Sequence, residues 1–130
     1  MLIDYCLIML GGALGSGARF WASGVVADRI GGTFPFGTIA VNITGCFVIG
    51  LFAAVSDPQG PFLVAPRWRL FFMVGLCGGY TTFSAFSLQT LDLAAEGDWL
   101  RATLNLTGSF LGCMLAVWLG RVFANSLFVR

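Results

Sequence analysis

The sequence predicts an all-α integral membrane protein with four transmembrane helices, the third of them broken. Of its 130 residues, 58% are hydrophobic and only 10% are charged, whereas soluble domains carry about 25% charged residues. A soluble fold this small could not cover its surface with so few polar groups, and a bilayer removes that requirement. The length suits one domain, so we predict a single transmembrane domain over residues 1–130.

Four apolar stretches have the length of about 20 residues that a membrane helix needs. They cover residues 2–27, 36–55, 70–93 and 100–123. The segments between them are short and turn-like: residues 28–32 hold two glycines, residues 56–69 hold three prolines, and residues 92–98 hold three acids. We therefore predict four spans joined by short connections.

The third stretch contains a segment that propagates a helix poorly. Gly78 and Gly79 are followed by the β-branched Thr81 and Thr82. A break there would free backbone amides and carbonyls, which survive at membrane depth only inside protein, beside water or on an ion. The segment thus favours a buried site. The alternative is a continuous helix whose glycines let a neighbouring helix approach.

The arginines are divided almost evenly between the two sides of the predicted membrane. One side holds four: Arg67, Arg69, Arg121 and Arg130. The other holds three: Arg19, Arg29 and Arg101. Because an excess of positive residues normally fixes the cytoplasmic side, so small a bias is typical of a chain that inserts both ways and pairs with itself. The pattern predicts an antiparallel, dual-topology homodimer, unless another partner fixes the orientation.

The ionisable residues exclude several function classes. The chain has no histidine, and all six acids lie at span ends or in loops. A proton-coupled antiporter needs a titratable group within the membrane, and most enzymes need an acid, a base or a metal site. The net charge of +1 offers no basic patch for nucleic acid. We predict a protein that is not an enzyme and binds no nucleic acid.

Neutral polar side chains remain as the groups that could meet a ligand inside the membrane. Thr38 and Asn42 share one face of the second span, as Asn105 and Ser109 do on the fourth. Further hydroxyls follow the glycines of the third span: Thr82, Ser84 and Ser87. Hydroxyls and amides donate hydrogen bonds to an anion without adding a charge that would trap it. Alternatively, they bond to neighbouring helices or to their own backbone.

Two phenylalanines and one arginine complete the candidate site. Phe83 and Phe86 share a helix face after the glycines, and the edge of an aromatic ring is positive enough to face a small anion. The alternative for both rings is packing or contact with lipid. Arg19 either extends to the membrane surface or attracts anions into a vestibule.

Three motifs resemble those of the Fluc/CrcB fluoride channel family, and together they lie across nearly the whole chain. Residues 11–20 read GGALGSGARF, residues 37–47 read GTIAVNITGCF, and residues 75–87 read GLCGGYTTFSAFS. The resemblance implies an antiparallel homodimer in the bacterial inner membrane, with two pores that conduct fluoride passively out of the cell. The alternative function is that of a small dual-topology multidrug antiporter.

The resemblance also assigns roles to individual residues. Backbone carbonyls of Gly78 and Thr81, from both subunits, would hold a structural sodium ion, and Arg19 would lie in a vestibule. The side chains expected to line the fluoride pore are Phe83, Phe86, Asn42, Ser84, Thr82, Ser109 and Asn105. The chain departs from the family pattern at Gln89, where family members often carry glutamate.

Overall fold

The computed structural model describes residues 1–128 as helices joined by short connections, with no strand in that range. We number the helices in chain order: α1 (Leu2–Ile30), α2 (Phe36–Val55), α3 (residues 66–80), α4 (Phe83–Ala95) and α5 (Trp99–Phe128). The prediction of an all-α fold is confirmed. The limits of α2 agree with the apolar stretch, whereas α1 and α5 extend a few residues into the adjoining polar segments.

Within residues 1–128, three segments are long and apolar enough to cross a membrane: Phe36–Val55, Pro66–Ala95 and Trp99–Phe128, with mean hydropathies of 2.1, 1.3 and 1.5. The helix α1 does not reach that standard, although its 29 residues would extend about 43 Å. It is less apolar because it combines five glycines with four charged residues, Asp4, Arg19, Asp28 and Arg29. A fourth span formed by α1 stays a prediction.

The third span is interrupted at Thr81 and Thr82. Their backbones are extended, with φ −84°, ψ 158° at Thr81 and φ −148°, ψ 112° at Thr82, and α4 begins at the next residue. Gly78 and Gly79 belong to the last helical turn before the interruption. The predicted break is present, but the threonines form it and the glycines do not.

Those glycines instead allow α1 and α3 to touch through their backbones. A Cβ atom on Gly79 would lie 2.5 Å from the carbonyl oxygen of Gly12, and one on Gly75 would lie 2.9 Å from that of Ile8. The contact runs along both helices, and residues 70–77 of α3 are wound as a π-helix beside it. The alternative of a continuous third helix is therefore wrong, although the glycines do allow the close helix contact that it assumed.

Helices α2 and α5 run in the same direction and pack closely along their length. Three contacts follow one another along both helices: Ile43 with Gly112, Gly50 with Val117, and Ala54 with Ala124. At the second contact, a Cβ atom on Gly50 would lie 3.1 Å from the Cα atom of Val117. This close contact holds two cleft-lining helices in a fixed register.

Candidate functional site

The break in the third span opens onto a cleft of about 660 Å³ between α2, α4 and α5. We call it the central cleft. The residues that line it are Asn42, Cys46, Thr81, Thr82, Phe83, Phe86, Leu106, Thr107, Ser109, Phe110, Cys113 and Met114. Five of the seven predicted pore residues are in this set, and no ionisable carboxylate or guanidinium is. The structure brings most of the predicted site together in one uncharged space.

Asn42 holds the break in place through two hydrogen bonds to one residue. Its Nδ2 donates to the carbonyl oxygen of Thr82 at 3.0 Å, and the backbone amide of Thr82 donates to its Oδ1 at 2.7 Å. The side chain thus satisfies both backbone polar groups of Thr82, a residue at which the helix is interrupted. An amide nitrogen carries two N–H groups, so one donor of Asn42 is left for another acceptor.

Thr82 caps α4 and joins the central cleft to a second cleft. Its Oγ1 accepts from the backbone amide of Ala85 at 3.2 Å and lies 3.3 Å from the hydroxyl of Ser84. A threonine at the N-cap stabilises the helix that follows it. Thr82 lines both clefts, whereas Ser84 lines only the second. The hydroxyl pair therefore lies where the two spaces meet.

The second cleft has a volume of about 450 Å³ and is more polar, and we call it the outer cleft. Arg19, the predicted vestibule residue, lines it together with Ser84 and Gln89. Gln89 has a buried Oε1 atom without a hydrogen-bond partner among the described residues. This arrangement places the one guanidinium of the site next to the uncharged space.

The carbonyl oxygens near the break differ in their hydrogen-bond partners. The guanidinium of Arg19 donates to the carbonyl of Thr81 at 3.4 Å, and the hydroxyl of Ser16 donates to that of Gly79 at 3.5 Å. Within residues 1–128 no donor reaches the carbonyl of Gly78, which lies at an exposed position. Neutral oxygens of this kind suit a hard cation. One chain offers only two of the expected carbonyls, and Arg19 already engages one of them.

The two phenylalanines lie at the start of α4 with their ring centroids 5.3 Å apart. Phe86 is buried, with 7% of its surface exposed, whereas Phe83 is 79% exposed. Phe86 therefore belongs to the wall of the central cleft, and Phe83 stands at its open side. An aromatic ring so exposed in a single chain is available to lipid or to a second protein.

Asn105 and Ser109 connect α5 to α4. Asn105 is 1% exposed, its Nδ2 donates to the hydroxyl of Thr90 at 2.8 Å, and its Oδ1 accepts from Ser109 at 3.3 Å. Ser109 lines the central cleft, but Asn105 does not. The structure therefore places Asn105 behind Ser109, where its contacts orient that hydroxyl.

Sequence reasoning missed part of the lining. On α5, the residues Leu106, Phe110 and Cys113 follow a spacing of three to four, and together with Met114 they line the central cleft. On α1, Ser16 and Ser23 flank Arg19 at the same helical spacing and line the outer cleft. In both helices the spacing showed that these residues share a face, but nothing in the sequence indicated that this face lines a cleft.

The comparison with known proteins identifies the family. Residues 6–121 match the family described as CrcB-like protein, Camphor Resistance (CrcB). The chain belongs to the CrcB family. Among its CrcB relatives is a protein of Paramagnetospirillum magneticum named "Fluoride-specific ion channel FluC", 53% identical over 95% of this chain and 97% of the relative.

Two further CrcB relatives carry the same name. The protein of Opitutus terrae is 54% identical over 95% of this chain and 93% of its own length. That of Methylocella silvestris is 52% identical over 96% of this chain and 95% of its own length. Family membership, predicted from three motifs, is thus confirmed over almost the whole chain.

Proposed function

We propose that this CrcB protein is a fluoride-selective channel that lets fluoride leave the cytoplasm passively, and that it is not an enzyme. The observation that carries the proposal is the central cleft, where the spare donor of Asn42 and two phenylalanine rings meet without a carboxylate or a guanidinium. A dehydrated small anion needs several convergent donors, and the absence of a fixed charge lets it leave again. Relatives named as fluoride channels support the same function.

The path for the ion runs from the outer cleft to the central cleft. Arg19 raises the local anion concentration at the outer cleft, and Thr82 and Ser84 pass the ion to Asn42 and the phenylalanines. Ring edges then replace part of the hydration shell. Hydrogen fluoride crosses membranes and dissociates in a neutral cytoplasm, so a passive pathway suffices to relieve the trapped fluoride.

Ion flux tests this function directly. Proteoliposomes holding the purified chain, loaded with fluoride or with chloride, are expected to release fluoride at least about 100-fold faster, which corresponds to about 2.7 kcal/mol of discrimination. Equal release of the two ions would contradict selectivity. Release of neither ion would remove the channel proposal itself.

Replacement of an exposed ring provides a more local test. Phe83→Ile removes the aromatic edge at the open side of the central cleft but keeps an apolar side chain of similar bulk. We expect fluoride flux to fall at least about tenfold, the loss of about 1.4 kcal/mol of stabilisation of the ion. Phe123→Ile, at a half-exposed ring of α5 outside both clefts, is the control. Equal flux from the two variants would show that Phe83 does not contact the ion.

We further propose that two copies pair in opposite orientations across the surface that carries Gly78 and Phe83. Both residues are exposed in the single chain, and the central cleft is open on the side of Phe83. A second copy would close it. Light scattering of the purified protein should give the mass of a dimer, and labelling of Cys6 should proceed from both sides of the membrane. A monomeric mass would contradict the pairing, and labelling from one side only would contradict the opposite orientations.

A sodium ion between the two copies is part of the same proposal. Gly78 and Thr81 from each copy would supply four neutral carbonyl oxygens, and the carbonyl of Gly78, which no donor among residues 1–128 reaches, fits that role. Replacing sodium with a large organic cation should lower fluoride flux, and adding sodium back should restore it. Flux that is independent of sodium would remove the ion from the proposal.

The central cleft lacks the carboxylate that the alternative function, a small multidrug antiporter, requires. Such a transporter needs a carboxylate within the membrane, and the central cleft has none in its lining. Proton movement driven by a drug gradient in proteoliposomes would favour this alternative. A subunit that assembles with an unlike partner, without transport of its own, is excluded by ion flux through the purified chain alone.

A further inference from the structure

Three sulfur-bearing side chains contribute to the lining of the central cleft. Cys46 on α2 and Cys113 and Met114 on α5 all line it. None of them has a role in the proposed path of fluoride, which is built from donors and ring edges. Sulfur is a poor donor to a hard anion, so the presence of three sulfur atoms in this space calls for a different ligand.

The register of α2 and α5 places the two cysteines opposite each other. Gly50 faces Val117 so closely that a Cβ atom on the glycine would lie 3.1 Å from the Cα atom of the valine. Cys46 and Cys113 are each four residues earlier on these parallel helices, one turn back on the same faces. Both side chains line the central cleft. The backbone contact below them prevents the pair from separating.

The chemistry of this group selects one class of ligand. Thiolate and thioether sulfur favour soft metal ions such as monovalent copper, and two facing cysteines match the linear coordination of Cu⁺, Ag⁺ or Hg²⁺. Cys46 and Cys113 are free cysteines, neither of them in a disulfide. The central cleft, with a volume of about 660 Å³, has room for such an ion.

We infer that Cys46 and Cys113 form a binding site for a soft, two-coordinate metal ion, with Met114 beside it, and that a bound ion obstructs the fluoride path. On binding, each thiol gives its proton to solvent and forms one metal–sulfur bond, and no electron is transferred. The obstruction rests on the proposed function, because it assumes that fluoride passes through the central cleft. The binding itself does not.

Retention of mercuric ion tests the binding without any transport measurement. The purified full chain is treated with one equivalent of Hg²⁺, then with two equivalents of glutathione, and the metal left on the protein is measured after desalting. Because two fixed thiols act at a high effective concentration, we expect about one mercury per chain. Cys46→Ser and Cys113→Ser should each retain at least tenfold less, whereas Cys6→Ser, at an exposed cysteine of α1, should retain as much as the parent.

Equal retention by the parent and by both cleft variants would overturn the site, as would loss of retention in Cys6→Ser. Met114→Leu should weaken retention without abolishing it, and the same retention as in the parent would remove Met114 from the site.

Fluoride flux then tests the obstruction. Each protein is compared with itself before and after treatment, and the parent and Cys6→Ser are expected to lose at least nine-tenths of their flux while the cleft variants keep most of theirs. Full flux through a chain that retains mercury would contradict the obstruction of the fluoride path but not the binding of the metal. A parent that conducts no fluoride before treatment would contradict the proposed function, and its mercury retention would still decide the binding site.

Discussion

Asn42→Asp is expected to lower fluoride flux at least about 100-fold. The substituted carboxylate still accepts from the amide of Thr82, but its second oxygen faces the carbonyl of Thr82, to which Asn42 donates at 3.0 Å. It also brings a negative charge into the central cleft. Two like charges about 4 Å apart repel by about 4 kcal/mol at an effective dielectric constant of about 20, which exceeds the 2.7 kcal/mol that a 100-fold effect requires.

The matched control is Asn125→Asp, which makes the same chemical change at an exposed position near the end of α5. Its flux should stay within about twofold of the parent. Both proteins are first compared by gel filtration, so that loss of the fold is not mistaken for loss of conduction. Should Asn42→Asp elute as the parent does and conduct equally well, Asn42 would have no part in the path of the ion.

Gly15→Ala is expected to destabilise the protein by about 2–3 kcal/mol, the upper range for a group forced into a filled space. A Cβ atom at Gly15 would overlap the carbonyl of Leu76 and lie 2.8 Å from the backbone amide of Tyr80. Since these neighbours are backbone atoms next to the break, they cannot turn aside as a side chain could. The substitution should therefore separate α1 from α3 and disturb the hydrogen bond between Arg19 and Thr81.

Gly17→Ala, two residues further along α1, meets nothing within 4 Å. It should slightly stabilise the helix, because alanine is the better helix former. The midpoint of thermal aggregation in detergent would rank the two variants. If both midpoints match that of the parent, the backbone contact between α1 and α3 does not limit stability.

The sequence predicted the helices well because length and hydropathy determine them. It also located the interruption, since β-branched residues after two glycines make a weak point in any helix. The sequence did not predict which residues form the interruption and which form the helix contact: Gly79 is helical and contacts α1, whereas Thr81 and Thr82 are extended. The position of the interruption depends on Asn42, which precedes Thr82 by forty residues and pairs with the backbone amide and carbonyl of Thr82.

The candidate site could be predicted only in part from the sequence, for a similar reason. Asn42, Phe83, Phe86 and Ser109 carry chemistry that stands out against an apolar background, and they meet in the central cleft. Asn105 carries equally distinctive chemistry, but its partner Thr90 holds it behind Ser109. Cys46 and Cys113 looked like ordinary membrane cysteines, because only the parallel packing of α2 and α5 brings them together.

The modest hydropathy of α1 has a consequence for biosynthesis. This helix leaves the ribosome before α3, yet it carries Arg19, and an arginine at the centre of an inserting helix costs about 2.5 kcal/mol or more. The carbonyl that accepts the hydrogen bond from the guanidinium belongs to Thr81, which is synthesised some sixty residues later. Until then, α1 lacks both this acceptor and the glycine surface of α3. Its stable residence in the bilayer therefore depends on a segment that has yet to emerge, and a chain truncated before α3 would hold its first helix only weakly in the lipid.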